Sequence, residues 1–165
     1  MFYYPHYSHV TMPKISIKNL YKIFGTSPQK GLKLLEQGKT KEEIYEATDL
    51  TVGVQDATFD IEKGEIFVVM GLSGSGKSTL VRMINRLIQP TAGSVLVDNE
   101  DVTKMNRDEL VKFRRKKTSM VFQSFALMPH MSVIDNVSFG LELDGVEKDM
   151  REERAKDALK QVGLD

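Results

Sequence analysis

The chain changes its hydrophobic period along its length. Residues 14–20, Lys-Ile-Ser-Ile-Lys-Asn-Leu, alternate apolar and polar, the pattern of an edge strand. Ser27-Pro28 signals a helix start, with Ser27 as N-cap and Pro28 in the first helical position. Leu32, Leu34 and Leu35 give that helix an apolar side, and Gly38 stops it. Thr40-Lys41-Glu42-Glu43 reads as a capping box opening a second helix to about Thr48. A strand is predicted over 52–61, with Val54, Ala57, Phe59 and Ile61 apolar. Ile66 to Met70 is an unbroken apolar run, as in a buried strand, and Leu80, Met83, Ile84, Leu87 and Ile88 repeat at helical spacing after it. Further strands are predicted over 94–98 and 118–122. Helices are predicted from the Asn106 cap to about Arg115, over 132–143 closed by Gly145, and over 149–162 closed by Gly163. Glu152 and Lys156 stand at i,i+4 on the last of these. The order is strands first, then alternating helices and strands. That suits a mixed α/β domain with a small antiparallel sheet beside a parallel core.

Between the predicted strand at 66–70 and the helix after it lies Gly71-Leu72-Ser73-Gly74-Ser75-Gly76-Lys77-Ser78-Thr79. Strand, glycine-rich loop and helix together make a phosphate-binding loop. Glycines let successive N–H groups converge on phosphate oxygens. The helix start adds unpaired donors and the positive end of its dipole. In this pattern Lys77 supplies charge to the β and γ phosphates, and the Ser78 hydroxyl is placed to ligate Mg²⁺.

Composition narrows the rest. The 165 residues suit one domain, and 23 Lys and Arg balance 23 Asp and Glu. Zero formal charge gives no global pull toward nucleic acid, and the run Lys112 to Lys117 is read as a solvated helix end. The absence of cysteine excludes disulfides, thiolate catalysis and cysteine metal sites. No apolar stretch approaches the ~20 residues that span a bilayer. Met1 to Thr11 is aromatic-rich and uncharged, has no secretory-signal pattern, and is expected to be a disordered leader. His130 has no second ligand at zinc-like spacing, and Glu42-Glu43 is explained by its capping box.

A phosphate loop alone leaves kinases, GTPases, helicases and transporters open. Met120-Val121-Phe122-Gln123, followed by Leu127-Met128-Pro129-His130 and Val133-Ile134-Asp135-Asn136-Val137, resembles the Q-loop region of ABC-transporter ATPases. Phe24-Gly25 after Leu20-Tyr21-Lys22 resembles their aromatic A-loop, where many members carry Tyr. The insert at 28–50, the wording of 65–72 and Arg115-Lys116-Lys117 are similar to the ATPase subunits of glycine betaine/proline uptake transporters. The resemblance covers about Met12 to Asp165.

The resemblance implies an α/β fold. It would be a P-loop NTPase core of ABC ATPase type with an N-terminal antiparallel β subdomain, ending before the signature motif, and with residues 132–165 starting a helical subdomain. It implies ATP and Mg²⁺ as cofactors. The implied nucleotide-binding residues are Phe24, Gly71, Leu72, Ser73, Gly74, Ser75, Gly76, Lys77, Ser78, Thr79 and Gln123, with Ser78 and Gln123 toward the metal. The implied partners are a transmembrane permease subunit, a second ATP-binding subunit and an extracytoplasmic solute-binding protein, with no nucleic acid. The place implied is the cytoplasmic face of the membrane, peripherally. Phe125, Met128 and Met131 are candidates for permease docking. The family's signature sequence, its Asp-Glu strand end and its switch histidine do not occur in these residues, so no catalytic residue is identified and the chain by itself is expected to bind nucleotide with hydrolysis near background. Alternatives are a stand-alone P-loop kinase or GTPase, or a non-catalytic truncated paralogue. The Q-loop-like segment favours the transporter reading, and no Asn-Lys-x-Asp base reader occurs.

Overall fold

The computed structural model describes residues 12–123 and 127–164. The expected leader at 1–11 and the candidate docking residue Phe125 lie outside the described residues. The chain divides into two units, Met1–Val111 and Lys112–Asp165.

The first unit is built on a four-stranded antiparallel sheet. β1 (Ile15–Phe24) lies between β2 (Thr51–Ile61) and β3 (Ala92–Val97), and β4 (Glu100–Asp101) pairs with β3. Ile17, Leu20 and Ile23 of β1 are buried, as are Val54 of β2 and Val95 and Val97 of β3. β1 is longer than its alternating stretch because a register irregularity lets it continue past Asn19. There the Asn19 N–H donates to Thr58 Oγ1 at 2.9 Å and its side-chain amide to Asp56 at 3.0 Å. On the other side a Cβ added at Gly93 (φ +88°) would stand 2.1 Å from the Asn19 carbonyl oxygen, so only glycine lets the two strands meet. Asp98 and Asn99, both with positive φ, form the tight turn into β4. Asp98 also takes both of its oxygens to the Lys14 ammonium, at 2.7 and 2.8 Å.

The insert forms the two expected helices, α1 (Pro28–Glu36) and α2 (Lys41–Thr48). Ser27 precedes α1 but makes no side-chain cap; Pro28 holds the start instead. Gly38 ends α1 with paired bonds, Gly38 N–H to Leu35 O and Lys39 N–H to Leu34 O. The capping box of α2 is complete in both directions. The Thr40 N–H, and after it the Lys39 ammonium, hold the Glu43 carboxyl below its ordinary value. A lowered carboxyl favours the folded state above its ordinary pKa. That contribution fades as pH falls through the lowered value. Ile44 and Leu50 bury with Ile23 and Val52, and Leu32, Leu34 and Leu35 pack on them, so the insert sits on the β1–β2 pair.

α3 (Lys77–Ile84) ends a turn earlier than the apolar spacing predicts. Arg86 turns out at φ +51° and its guanidinium donates to the Val102 and Met105 carbonyls, at 2.9 and 2.6 Å. Beyond it, the Thr91 N–H donates to the Tyr21 carbonyl at 2.8 Å, and the Ile23 N–H to Thr91 Oγ1 at 3.0 Å. This returns the chain from the loop-bearing helix to the β1 edge.

The strand expected at 66–70 is not formed. Ile66 is 90% and Met70 85% exposed. A buried parallel strand needs hydrogen-bonding neighbours and cover on both faces, and among the described residues no strand pairs with this run. Only Phe67 finds an aromatic partner, stacked on Phe59 at 4.7 Å. The strand expected at 118–122 is absent for the same reason, with Val121 96% exposed. The sheet among the described residues is therefore wholly antiparallel, and the expected parallel core is not assembled within them.

α4 (Arg107–Lys117) starts at an Asn106–Glu109 capping pair and leads out of the first unit. In the second unit, α5 (Val133–Leu143) and α6 (Lys148–Gln161) pack on each other. Ser132 caps α5, and Gly145 and Gly163 close the two helices as expected. Glu152 pairs with Lys148 at 3.7 Å rather than with the expected Lys156, and Arg151 reaches Glu142 at 3.3 Å. Asn136 was not anticipated. Its side chain accepts from the Met128 N–H and donates to the Met128, Met131 and Ser132 carbonyls, fixing 128–132 against α5.

The packing of the insert gives a direct test. Ile44→Ala should destabilise the protein by about 2–5 kcal/mol, the ordinary loss for a buried aliphatic side chain. Tyr45→Ala, on the exposed side of the same helix, should change stability by no more than about 0.5 kcal/mol. Urea midpoints read both, and equal losses would contradict the assigned face.

Candidate functional site

The loop at 71–79 keeps its shape without strand pairing on its N-terminal side. Its glycines at 71, 74 and 76 have φ of +153°, +78° and +90°. The tightest contact is at Gly76, the N-cap of α3: a Cβ there would stand 2.1 Å from the Gly53 carbonyl oxygen of β2. Any other residue would push the helix start off the sheet. The turn is closed by the Ser75 N–H donating to the Leu72 carbonyl at 3.2 Å.

Lys77 stitches the loop from within. Its ammonium donates to the Gly71 and Leu72 carbonyls, at 2.8 and 2.6 Å, and lies 3.4 Å from Ser75 Oγ. The charge is thus carried at the centre of the loop rather than on a free arm. The first intrahelical bond runs from the Leu80 N–H to the Gly76 carbonyl, so the earlier N–H groups of the helix have no acceptor inside it. A helix start with glycine-opened backbone and a central cation is suited to a polyanion.

Phe24 reaches the same place from another direction. The β1–β2 register sets Phe24 opposite Thr51 and Lys22 opposite Val54. The ring therefore lies over Gly53, where an added Cβ would stand 2.7 Å from Phe24 Cε2. A cavity of about 260 Å³ is lined by Phe24, by 51–53 of β2 and by 74–79 of the loop and helix. An aromatic ring and the phosphate-loop pattern thus line the same cavity.

Of the expected site residues, Phe24, Gly74, Ser75, Gly76, Lys77, Ser78 and Thr79 share this cavity. Gly71 lines an adjoining cavity of about 280 Å³ with Ser75, Gly76 and Lys77. Leu72 and Ser73 form the loop's exposed tip. Gln123 belongs to the second unit, where it is exposed. Met128 and Met131 are half-buried there and His130 is exposed. Among the described residues no group of His, Asp and Glu could by itself hold a metal ion. Sequence reasoning missed Thr51, Val52 and Gly53 as lining residues. The available signal was Gly53, a glycine inside a strand run, which marks close approach of another backbone.

The ABC transporter family model matches residues 54–165. The chain is 61% identical over 152 residues to the glycine betaine/proline betaine transport system ATP-binding protein ProV of Escherichia coli (strain K12), covering 92% of this chain and 38% of that protein. It is 55% identical to the glycine betaine transport ATP-binding protein OpuAA of Bacillus subtilis (strain 168), covering 92% and 36%. Among solved structures it superimposes on a dimeric ATP-binding cassette in a post-hydrolysis state bound to ADP and Pi, with a TM-score of 0.71 and 30% identity, over 88% of this chain and 56% of that one. The chain thus spans well under half the length of the curated relatives it matches. With the family model matching more than half of its residues and the fold of an ATP-binding cassette around its glycine-rich loop, the chain belongs to the ABC transporter family.

Proposed function

We propose that the cavity between Phe24 and the loop at 71–79 binds MgATP, and that the chain is part of the ATP-binding subunit of an importer for glycine betaine/proline-type compatible solutes. The observation that carries the nucleotide reading is that one cavity holds both an aromatic platform and a phosphate loop whose lysine is already in place. Identity to proteins named for glycine betaine and proline betaine transport supports the solute class. Family membership leaves the stand-alone kinase and GTPase readings without support.

The residues fit the ligand. When bound, ATP supplies the transferable phosphoryl group, and Mg²⁺ neutralises charge on its phosphates. The glycine-opened backbone at 74–76 and the first turn of α3 offer N–H donors to phosphate oxygens. Lys77 adds charge, Ser78 offers its hydroxyl to the metal, and Phe24 offers a π face to the base. Gln123 is the second metal-side ligand and links the nucleotide to the segment carrying Met128 and Met131, which docks on a transmembrane permease subunit. The assembly has two such ATP-binding subunits and works with an extracytoplasmic solute-binding protein. It sits peripherally on the cytoplasmic face; among the described residues no helix is long and apolar enough to cross a membrane.

Charged hydrogen bonds contribute about 1.5–3 kcal/mol each. Lys77→Ala should therefore weaken MgATP binding by roughly 10- to 150-fold, read by titration calorimetry on folded protein. Unchanged affinity would remove the phosphate-loop reading. Phe24→Ala should weaken ATP more than inorganic triphosphate, which has no base to stack; equal losses would make Phe24 a packing residue.

In the full-length subunit reconstituted with its permease in proteoliposomes, Gln123→Ala should reduce ATP-driven betaine uptake by a larger factor than it reduces ATP affinity. Wild-type uptake in that variant would refute the coupling role.

A further inference from the structure

One cation next to the site is not used by the reading above. Lys22 precedes Phe24 by two positions on β1, so the two side chains leave the same face of the strand. Its ammonium stands 5.0 Å from the Phe24 ring centroid, within the range of an attractive cation–π contact. The same ammonium donates to the Gln89 carbonyl at 2.9 Å, in the segment that returns from α3 to the β1 edge. The charge is therefore held, not sampled along a free side chain. Lys22 is not among the residues that line the cavity, whereas Phe24 is. The ammonium thus contacts the ring without itself lining the cavity.

From this geometry we infer that Lys22 is a positioning residue for nucleobase recognition, acting through the Phe24 ring rather than on the phosphates. The inference rests on the reading that Phe24 stacks on the base. The physical chain is short. A cation over one face of a benzene ring draws π density toward itself. The opposite face becomes less negative and repels the π cloud of a stacked purine less. Purine stacking on an aromatic ring prefers such offset, electrostatically matched faces. The same contact, with the Gly53 backbone close to the Cδ2–Cε2 edge of the ring, limits the ring's motion before the ligand arrives, which reduces the ordering cost of binding. Phenylalanine lacks the hydroxyl handle that tyrosine would carry at this position, so the ring has no hydrogen bond of its own to hold it.

The test is a double-mutant cycle read with two ligands, MgATP and magnesium inorganic triphosphate, by titration calorimetry on the purified protein. Lys22→Gln removes the charge but keeps an N–H donor on the side chain. Lys22→Arg keeps a cation that stacks on aromatic faces. A surface cation–π contact of about 0.5–1 kcal/mol corresponds to a two- to fivefold change in affinity. Lys22→Gln should weaken MgATP by about that factor and leave triphosphate unchanged, and Lys22→Arg should restore MgATP binding. In a Phe24→Leu background Lys22→Gln should have no further effect on MgATP.

Equal losses for both ligands would overturn the inference, because the charge would then act on the phosphates directly. A loss that persists in the Phe24→Leu background would overturn it as well. If Phe24→Leu loses base-dependent affinity while Lys22→Gln loses none, stacking stands and Lys22 is only a strand lysine. If Phe24→Leu itself shows no base-dependent loss, the stacking reading falls and the role of Lys22 falls with it.

Discussion

The close approach of Gly76 to the Gly53 carbonyl is the contact on which the site depends. It seats the N-cap residue of a helix against the backbone of a strand, at a distance that no side chain permits. Everything near the loop follows from it. Lys77, the next residue, turns inward and reaches the Gly71 and Leu72 carbonyls. The β1–β2 pairing then brings Phe24 over the same Gly53. A single glycine on β2 thus sets both the position of the phosphate loop and the position of the aromatic ring. The aromatic ring and the glycine-rich loop are thereby brought to line one cavity.

The sheet that supports this arrangement is antiparallel and is closed by local devices. The irregularity at Asn19, the close pass at Gly93 and the tie from Thr91 to Tyr21 and Ile23 all act on β1. They hold the strand that carries Lys22 and Phe24. The insert adds an apolar cluster in which Ile44 and Leu50 bury with Ile23 and Val52 of the β1–β2 pair. Site geometry is thus a property of the first unit, built from residues distant in sequence but joined by backbone pairing. In the second unit a single amide, Asn136, fixes the segment that carries Met128 and Met131.

What was legible in the sequence was what is decided locally. The capping box at Thr40 and Glu43, the glycine stops at 38, 145 and 163, and the phosphate loop all depend on a few adjacent residues, and each stands where the pattern put it. Alternation found β1 and β2 because a half-buried strand writes its face into its own residues. The runs at 66–70 and 118–122 read as strands, yet strand formation is a property of a pair. An apolar run carries the tendency but not the neighbour, and among the described residues none is present. β4 is too short to carry a period, and the turn into it begins at Asp98, which the sequence pattern places in the preceding strand. The lining role of Thr51 to Gly53 follows from the β1–β2 register, which no single segment encodes.

The most direct test of this account is the MgATP affinity of Gly76→Ala, measured by titration calorimetry beside Gly38→Ala. Both glycines have positive φ, so both substitutions strain the backbone, but a Cβ at Gly38 meets nothing within 4 Å. If the seat on Gly53 shapes the site, Gly76→Ala loses MgATP binding while Gly38→Ala, destabilised by about 1–2 kcal/mol, keeps the wild-type affinity. Wild-type affinity in a folded Gly76→Ala protein would contradict it.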